Sequence, residues 1–475
     1  MKKKLKLLDY QIKALNFLKK EKSGAIFIDP GGRKTAIVLN YLDYLKRKLK
    51  KDFKALIIAP LNVIYDPWTY QPFDWWKTLD PKKICNIHEK EYDEGHDVYL
   101  INPNKITSEI KKNKKYLRQF SVIVIDESVL YKNPEAKRTM ELHRYFDVIK
   151  PKYSVIMTGE PVTKNLLDIY AQFYFIDRCA LGSNFYAFRS TFFEPSPDGY
   201  NWVLRDGAYE EIIRRISKKS FILDEKTKKK IGYPKTIFND VYFSLSKKNY
   251  KKYFEFHKKF MLELDELLID KSNHKGKVYS GAISYTYCSQ FVCGYLYEPK
   301  FKYDDKGNIL ARLKSTIHHI HEDRVKQLKS LTNELNGKNL LVFYETHADL
   351  EQIKKLKLPN SAYIQGGMKA SKTQEILKQW NAGKITNLFG QISMISTGLN
   401  LQHGGHNILF YNVPHDYDLY KQAIHRLKRP GQKHTVTIHR FICRKTVDEI
   451  RRLQILEGKI FNAKQFKEKM LELMP

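Results

Sequence analysis

Near the start of the chain, Phe27, Ile28, Asp29, Pro30, Gly31, Gly32, Arg33, Lys34, Thr35 and Ala36 combine residue types that suit phosphate chemistry. Adjacent glycines let backbone N–H groups approach phosphate oxygens, a lysine adds a cation, and a threonine hydroxyl suits a magnesium ion. A full phosphate-loop pattern also wants glycine just before the lysine and at the loop's start, where this chain has Arg33 and Ile28. Alone, the stretch reads equally as a glycine turn ahead of a lysine-bearing helix. A second candidate is the acid pair Asp126-Glu127, which closes the apolar run Val122, Ile123, Val124, Ile125. Burying paired acids is costly unless a cation or proton compensates. A magnesium ion would compensate, with Asp126 holding it through its water shell and Glu127 orienting and deprotonating the water that attacks a γ-phosphate. In isolation the pair reads as two solvated acids at a strand end, and the phosphate loop upstream tips the balance toward catalysis.

Two further groups bear on the same chemistry. Arg426 and Arg429, three residues apart, are expected to share a helical face between Gln422 and Gln432. Two forked guanidiniums in a region without its own phosphate loop suit work in trans on a transferring γ-phosphate. The plainer reading, a solvated basic helix, leaves Pro430-Gly431-Gln432 without a reason. Gln11, just upstream of the loop, is placed either to read an adenine edge or to sit as a surface amide. Thr158-Gly159-Glu160-Pro161 is a turn at a strand end, positioned to sense nucleotide state or simply to turn the chain.

Periodicity supplies the elements that must position these groups. The run Gly24 to Ile28 predicts a strand into the loop, and Val38, Leu39, Leu42 and Leu45 after it have helical spacing. Leu8, Ile12, Leu15 and Leu18 predict a helix over residues 8–20, with Asp9 as its cap. Strands are expected over 55–61, 97–101, 122–125 and 153–157, with helices between, and Trp68, Trp75 and Trp76 read as packing groups. Residues 178–320 are aromatic, basic and helical, with Arg214, Arg215, Lys218 and Lys219 clustered. A strand near 233–246, a long helix over 250–268 and a turn at 304–308 are expected there. Contact with a polyanion backbone and a solvated charged surface both account for these charges. From about Asp323 a second alternation starts, with strands expected at 340–344, 362–364, 387–389, 408–411 and 436–441. The expected organisation is α/β throughout: residues 1–178, a basic helical insertion over 179–320, and residues 321–475.

Composition narrows the partners. The 475 residues carry 84 Lys and Arg against 52 Asp and Glu, a net charge of +32 spread along the chain, which points to a long nucleic-acid backbone. A lysine bias from base composition contributes, since Ile, Asn and Tyr are also frequent. Cys85, Cys179, Cys288, Cys293 and Cys443 lack a second close pair for tetrahedral zinc, so reduced thiols are expected. No apolar stretch has the length of a secretory signal or membrane span, so a soluble cytoplasmic protein is expected.

Taken in order, Leu8-Asp9-Tyr10-Gln11, Asp29 to Thr35, Asp126-Glu127, Thr158-Gly159-Glu160-Pro161, Ser396-Thr397-Gly398-Leu399-Asn400-Leu401 and Gln422 to Gln432 resemble helicase superfamily two. More narrowly, Gly398-Leu399-Asn400-Leu401, the Gln-Ala-x-x-Arg-x-x-Arg-x-Gly-Gln ending, Tyr363-Ile364-Gln365-Gly366-Gly367 and Lys132-Asn133-Pro134 resemble the Swi/Snf-type ATPases. The match runs from about residue 7 to 455. It implies two RecA-like lobes with ATP and Mg2+ in the cleft and double-stranded DNA crossing both, moved along without strand separation. It also implies that Gln11 recognises adenine, that Gly31, Gly32, Lys34 and Thr35 hold phosphates and magnesium, and that Asp126 and Glu127 serve metal and water. Arg426 and Arg429 would be arginine fingers, with Gln422 at the same cleft. Ser128, Val129 and Glu160 depart from the family's residues at positions that couple nucleotide and DNA sites. Compact forms of the family are typical of bacteria and their viruses, so a nucleosome is not the expected substrate, and a monomer in the cytoplasm, nucleoid-associated, is expected. A strand-separating helicase acting on DNA or RNA and a non-hydrolysing DNA-binding adaptor are the rival readings.

Overall fold

The structure is a computed structural model that describes residues 6–64, 68–87, 89, 92–112, 119–162, 165–196, 202–223, 225–255, 285–303, 309–395 and 399–457. The expected turn at 304–308, residues 396–398 of the Ser-Thr-Gly motif and the expected helix beyond residue 255 lie outside them. The chain forms two compact units, the first largely residues 1–233 and the second largely residues 234–475.

In the first unit the strands are β1 (Gly24–Phe27), β2 (Ala55–Ile58), β3 (Ile84–Asn86), β4 (Val98–Ile101), β5 (Val122–Asp126), β6 (Tyr153–Thr158), β7 (Phe193–Pro195), β8 (Trp202–Leu204) and β9 (Ser220–Ile222). Seven form one sheet in the order β3-β4-β2-β5-β6-β1-β9, with every pairing parallel, and β7 and β8 make a separate antiparallel ribbon. The central strands are apolar on both faces because both faces are covered. Ile26, Ile57, Val124 and Val155 point into one core with Ala14 and Leu18 of α1 (Asp9–Glu21) and Ile37, Val38 and Leu42 of α2 (Lys34–Leu49). Phe27, Ile58, Ile125 and Ile156 point into the other, against Leu142, Phe146, Ile169, Phe173 and Phe188. Fully burying each such side chain contributes about 1.5–3 kcal/mol before conformational entropy is subtracted.

α1 departs from expectation in two ways. Asp9 is its first helical residue, not its cap, and the buried face is Tyr10, Gln11, Ala14 and Leu18, while Ile12 is 45% exposed. The helix is rotated so that Gln11 faces the phosphate loop; Leu8, in the cap position, offers no side-chain acceptor, and the Gln11 side-chain oxygen reaches back to accept from the Leu8 N–H at 2.8 Å.

The second unit contains β10 (Thr236–Phe243), β11 (Tyr295–Tyr303), β12 (Ile309–His319), β13 (Leu340–Tyr344), β14 (Ser361–Ile364), β15 (Asn387–Gln391), β16 (Asn407–Phe410) and β17 (Val436–Cys443). Its sheet runs β10-β17-β16-β13-β15-β14, again all parallel, and β11 with β12 forms an antiparallel ribbon. Two parallel α/β units are therefore present, as the alternation predicted. Of residues 179–320, β9 joins the first sheet and β10 the second.

Candidate functional site

Three strand ends build the site. β5, β6 and β1 are neighbours, with Asp126 opposite Met157 and Phe27 opposite Thr158, so the segments leaving all three emerge at one sheet edge. Open parallel sheets bind ligands at that edge, beyond the carboxyl ends of their strands.

The loop after β1 carries Gly31 at φ +85°, Gly32 and Arg33 into α2. A Cβ on Gly32 would lie 2.3 Å from Ile28 Cγ2, so glycine is required there by space. Arg33 takes φ 53° and ψ 41°, the left-handed conformation a glycine would adopt without strain, and its side chain is exposed. The phosphate-loop backbone is thus kept, with arginine bearing the strain. Its carbonyls are held from outside: Tyr10 Oη donates to Gly32 O at 3.0 Å, Tyr233 Oη to Pro30 O at 3.3 Å, and Gln11 Nε2 to Arg33 O at 3.3 Å. Gln11 is fully buried, so its amide serves the loop and the start of α1. Lys34 and Thr35 open α2; Lys34 is buried and donates to Ile28 O at 2.8 Å.

Asp126 ends β5, is 4% exposed, and accepts from Trp68 Nε1 at 2.9 Å and from the Glu127 N–H at 3.0 Å. Burial and the neighbouring Glu127 charge push its carboxyl up to about 7, against the pull of Lys34 and these two hydrogen bonds. A buried carboxylate that so favours a proton is short of positive charge. A hard carboxylate at the same sheet edge as the Thr35 hydroxyl fits the oxygen ligands that a magnesium ion prefers. Glu127 is the second non-glycine residue in the site with left-handed backbone, at φ 55° and ψ 57°, and its Oε2 accepts from Thr158 Oγ1 at 3.1 Å. Ser128 is fully buried and donates to Gln172 Oε1 at 2.8 Å. The structure thus brings Gln11, Gly31, Gly32, Lys34, Thr35, Asp126 and Glu127 to one edge of the first unit. Sequence reasoning missed Trp68, read as packing, and Gln172, which lies between Ala171 and Phe173 on a helix read for its buried apolar face.

In the second unit, Gln422 lies in the Tyr417–Ile424 helix, but Arg426 and Arg429 lie beyond its end, which corrects the expected helical face. The bonds there tighten: Arg426 N donates to Ala423 O and Leu427 N to Ile424 O, and Pro430 ends the run. Arg426 Nε donates to Gln422 O at 3.1 Å and Arg429 Nε to His425 O at 2.8 Å, so each guanidinium is braced on the backbone four residues earlier. Gln432 Nε2 donates to Gln402 O at 2.7 Å and Gly405 O at 2.9 Å, tying this turn to the loop after Leu401. The basic cluster is less free than its sequence implied. Arg214 and Arg215 both pair with Glu211 at 2.6 Å, and Lys219 pairs with Glu21 at 3.0 Å.

Two family models and several known proteins match the sequence. The SNF2-related domain matches residues 10–291 and the helicase conserved C-terminal domain residues 323–431. Protein p41 of Acyrthosiphon pisum secondary endosymbiont phage 1 is 26% identical over 470 residues, covering 93% of this chain and 94% of that protein. An uncharacterized ATP-dependent helicase of Mycoplasma pneumoniae is 24% identical over 460 residues, and the match spans 40% of its length. The Sulfolobus solfataricus SWI2/SNF2 ATPase core in complex with dsDNA is 19% identical, covers 99% of this chain and 94% of its own, and superposes with a TM-score of 0.43, too loosely to add to the sheet topologies.

Proposed function

The chain belongs to the SNF2-related family of ATPases, and from that premise we propose that it is a motor that moves along double-stranded DNA at the expense of ATP. The observation that carries the reading is the meeting of the β1 loop, the β5 acid pair and the β6 turn at one sheet edge, with the Lys34 charge acting on Asp126. Gly31 and Gly32 present backbone N–H groups to the phosphates, and Lys34 neutralises their charge. Thr35 and Asp126 would hold a magnesium ion, which when bound would supply further positive charge against the phosphates. Glu127 orients the attacking water and takes its proton. The Thr158 hydroxyl fixes one oxygen of that carboxylate and so directs the other. Gln11 reads the adenine edge by trading the Arg33 carbonyl for the base. Arg426 and Arg429, with Gln422, complete the charge stabilisation from the second unit, where the brace on each Nε supports a fixed aim.

Duplex DNA is proposed from the net charge of +32 and from family membership. Binding through phosphates makes affinity fall steeply with salt and leaves little sequence preference. Among the described residues no helix is long and apolar enough to cross a membrane. The five free cysteines fit the reducing cytoplasm we propose for it. The test is phosphate release with and without duplex DNA, repeated with Lys34→Ala, beside single strands, RNA and a strand-displacement assay. Duplex-stimulated turnover that Lys34→Ala abolishes, without unwinding, is expected. Robust unwinding with preferential single-strand stimulation would favour the strand-separating reading. Equal, negligible release from the parent and Glu127→Gln would favour the adaptor.

A further inference from the structure

A closed ring of covalent and hydrogen bonds runs through Glu127. Glu127 Oε2 accepts from Thr158 Oγ1 at 3.1 Å, and the chain continues from Thr158 to Pro161. Pro161 O accepts from Gln172 Nε2 at 2.6 Å, Gln172 Oε1 accepts from Ser128 Oγ at 2.8 Å, and Ser128 is bonded to Glu127. Gln172 Nε2 also donates to Asp168 O at 2.8 Å, which fixes the amide against its own helix. Gln172 and Ser128 are both 0% exposed. A buried amide with both ends engaged is rigid, because releasing either end strands a polar group without water.

The position matters because Glu127 holds a left-handed backbone that a non-glycine residue keeps only when its surroundings insist. The bond from Ser128 pins the residue immediately after it. The opposite end of the same amide grips the 158–161 turn, whose Gly159 packs against Pro30 of the phosphate loop. We propose that Gln172 is a positioning residue: through Ser128 it sets the Glu127 carboxylate for attack by water, and through Pro161 it makes that setting follow the phosphate loop. Ser128, which departs from the family pattern, thereby regains through Gln172 a link between the acid pair and the turn. The inference rests on the proposed role of Glu127.

The experiment compares Gln172→Met, Ser128→Ala and the double variant with the parent and with Glu127→Gln, in the full chain. Each is followed by ATP turnover with and without duplex DNA, affinity for a non-hydrolysable ATP analogue, and thermal melting. Each single variant strands a buried partner and should melt lower. The double variant removes both ends of the Ser128–Gln172 bond but leaves Pro161 O without its Gln172 donor, so it should melt above Gln172→Met and below the parent. If Gln172 positions Glu127, kcat in the double variant stays about 10- to 100-fold below the parent while KM and analogue affinity change by less than about threefold. Recovery of kcat together with melting would reduce the ring to packing and overturn the proposal. Parent-like turnover in Glu127→Gln would instead overturn the reading of Glu127 itself, so the two failures are distinguishable.

Discussion

Gly159 stands so close to Pro30 that a Cβ built on it would lie 2.7 Å from Pro30 Cδ. The turn after β6 and the phosphate loop after β1 are in van der Waals contact at the one place where a side chain is missing. Gly159→Ala must therefore push the loop, since neither the proline ring nor the backbone beneath it yields cheaply. The expected outcome is a rise in KM for ATP and a loss of turnover, with a melting temperature lowered by the overpacking. Steady-state kinetics against ATP concentration check this, and an unchanged KM would show that the loop is not seated on that contact.

Arg33 is held at φ 53°, so its backbone and not its side chain should decide what the site tolerates. Arg33→Gly removes an αL cost of about 1 kcal/mol and adds chain entropy of similar size to the unfolded state, so stability should change little. Arg33→Val puts a β-branched residue at positive φ and should lower the urea midpoint clearly. A glycine variant as unstable as the valine variant would place the burden on the guanidinium instead.

His425 is pushed down to about 3, first by burial and then by Lys428, Arg426 and Arg429. It stays neutral in the folded protein while the unfolded chain takes up a proton near pH 6.5. Between those values the unfolded state binds more protons, so stability is fully present above about pH 6.5 and falls as pH drops toward 3. Urea midpoints measured between neutral and mildly acidic pH should decline in the parent and decline less in His425→Asn.

Replacing Arg426 or Arg429 by alanine should reduce ATP turnover by about 10³-fold if each acts on the transferring phosphate. Affinity for a non-hydrolysable ATP analogue should change far less. Loss of affinity in step with turnover would assign the arginines to ground-state binding.

Much of the fold was legible because buried parallel strands are apolar throughout: 24–28, 122–125, 153–157 and 340–344 all correspond to strands. The strands that escaped notice are short, exposed or basic. β3 and β9 lie at the first sheet's edges, β7 and β8 are three residues each, and β11 carries Lys300 and Lys302, which break any apolar pattern. That the glycine loop and the acid pair lie at strand ends was legible because each directly follows an apolar strand run, and the structure places both at one sheet edge. Trp68 and Gln172 were not, because a buried tryptophan and a lone glutamine look the same whether they pack or donate; only the distance to Asp126 or Ser128 separates the cases. The expected helical face of Arg426 and Arg429 failed because spacing alone does not say where a helix ends.

Tyr233 ends the main segment of the first unit, and the hydroxyl that reaches Pro30 O belongs to the side chain just before Pro234 begins the second. The chain thus leaves that segment from a residue bonded to the loop after β1. Loss of that hydroxyl would release the Pro30 carbonyl and the last residue before Pro234 together.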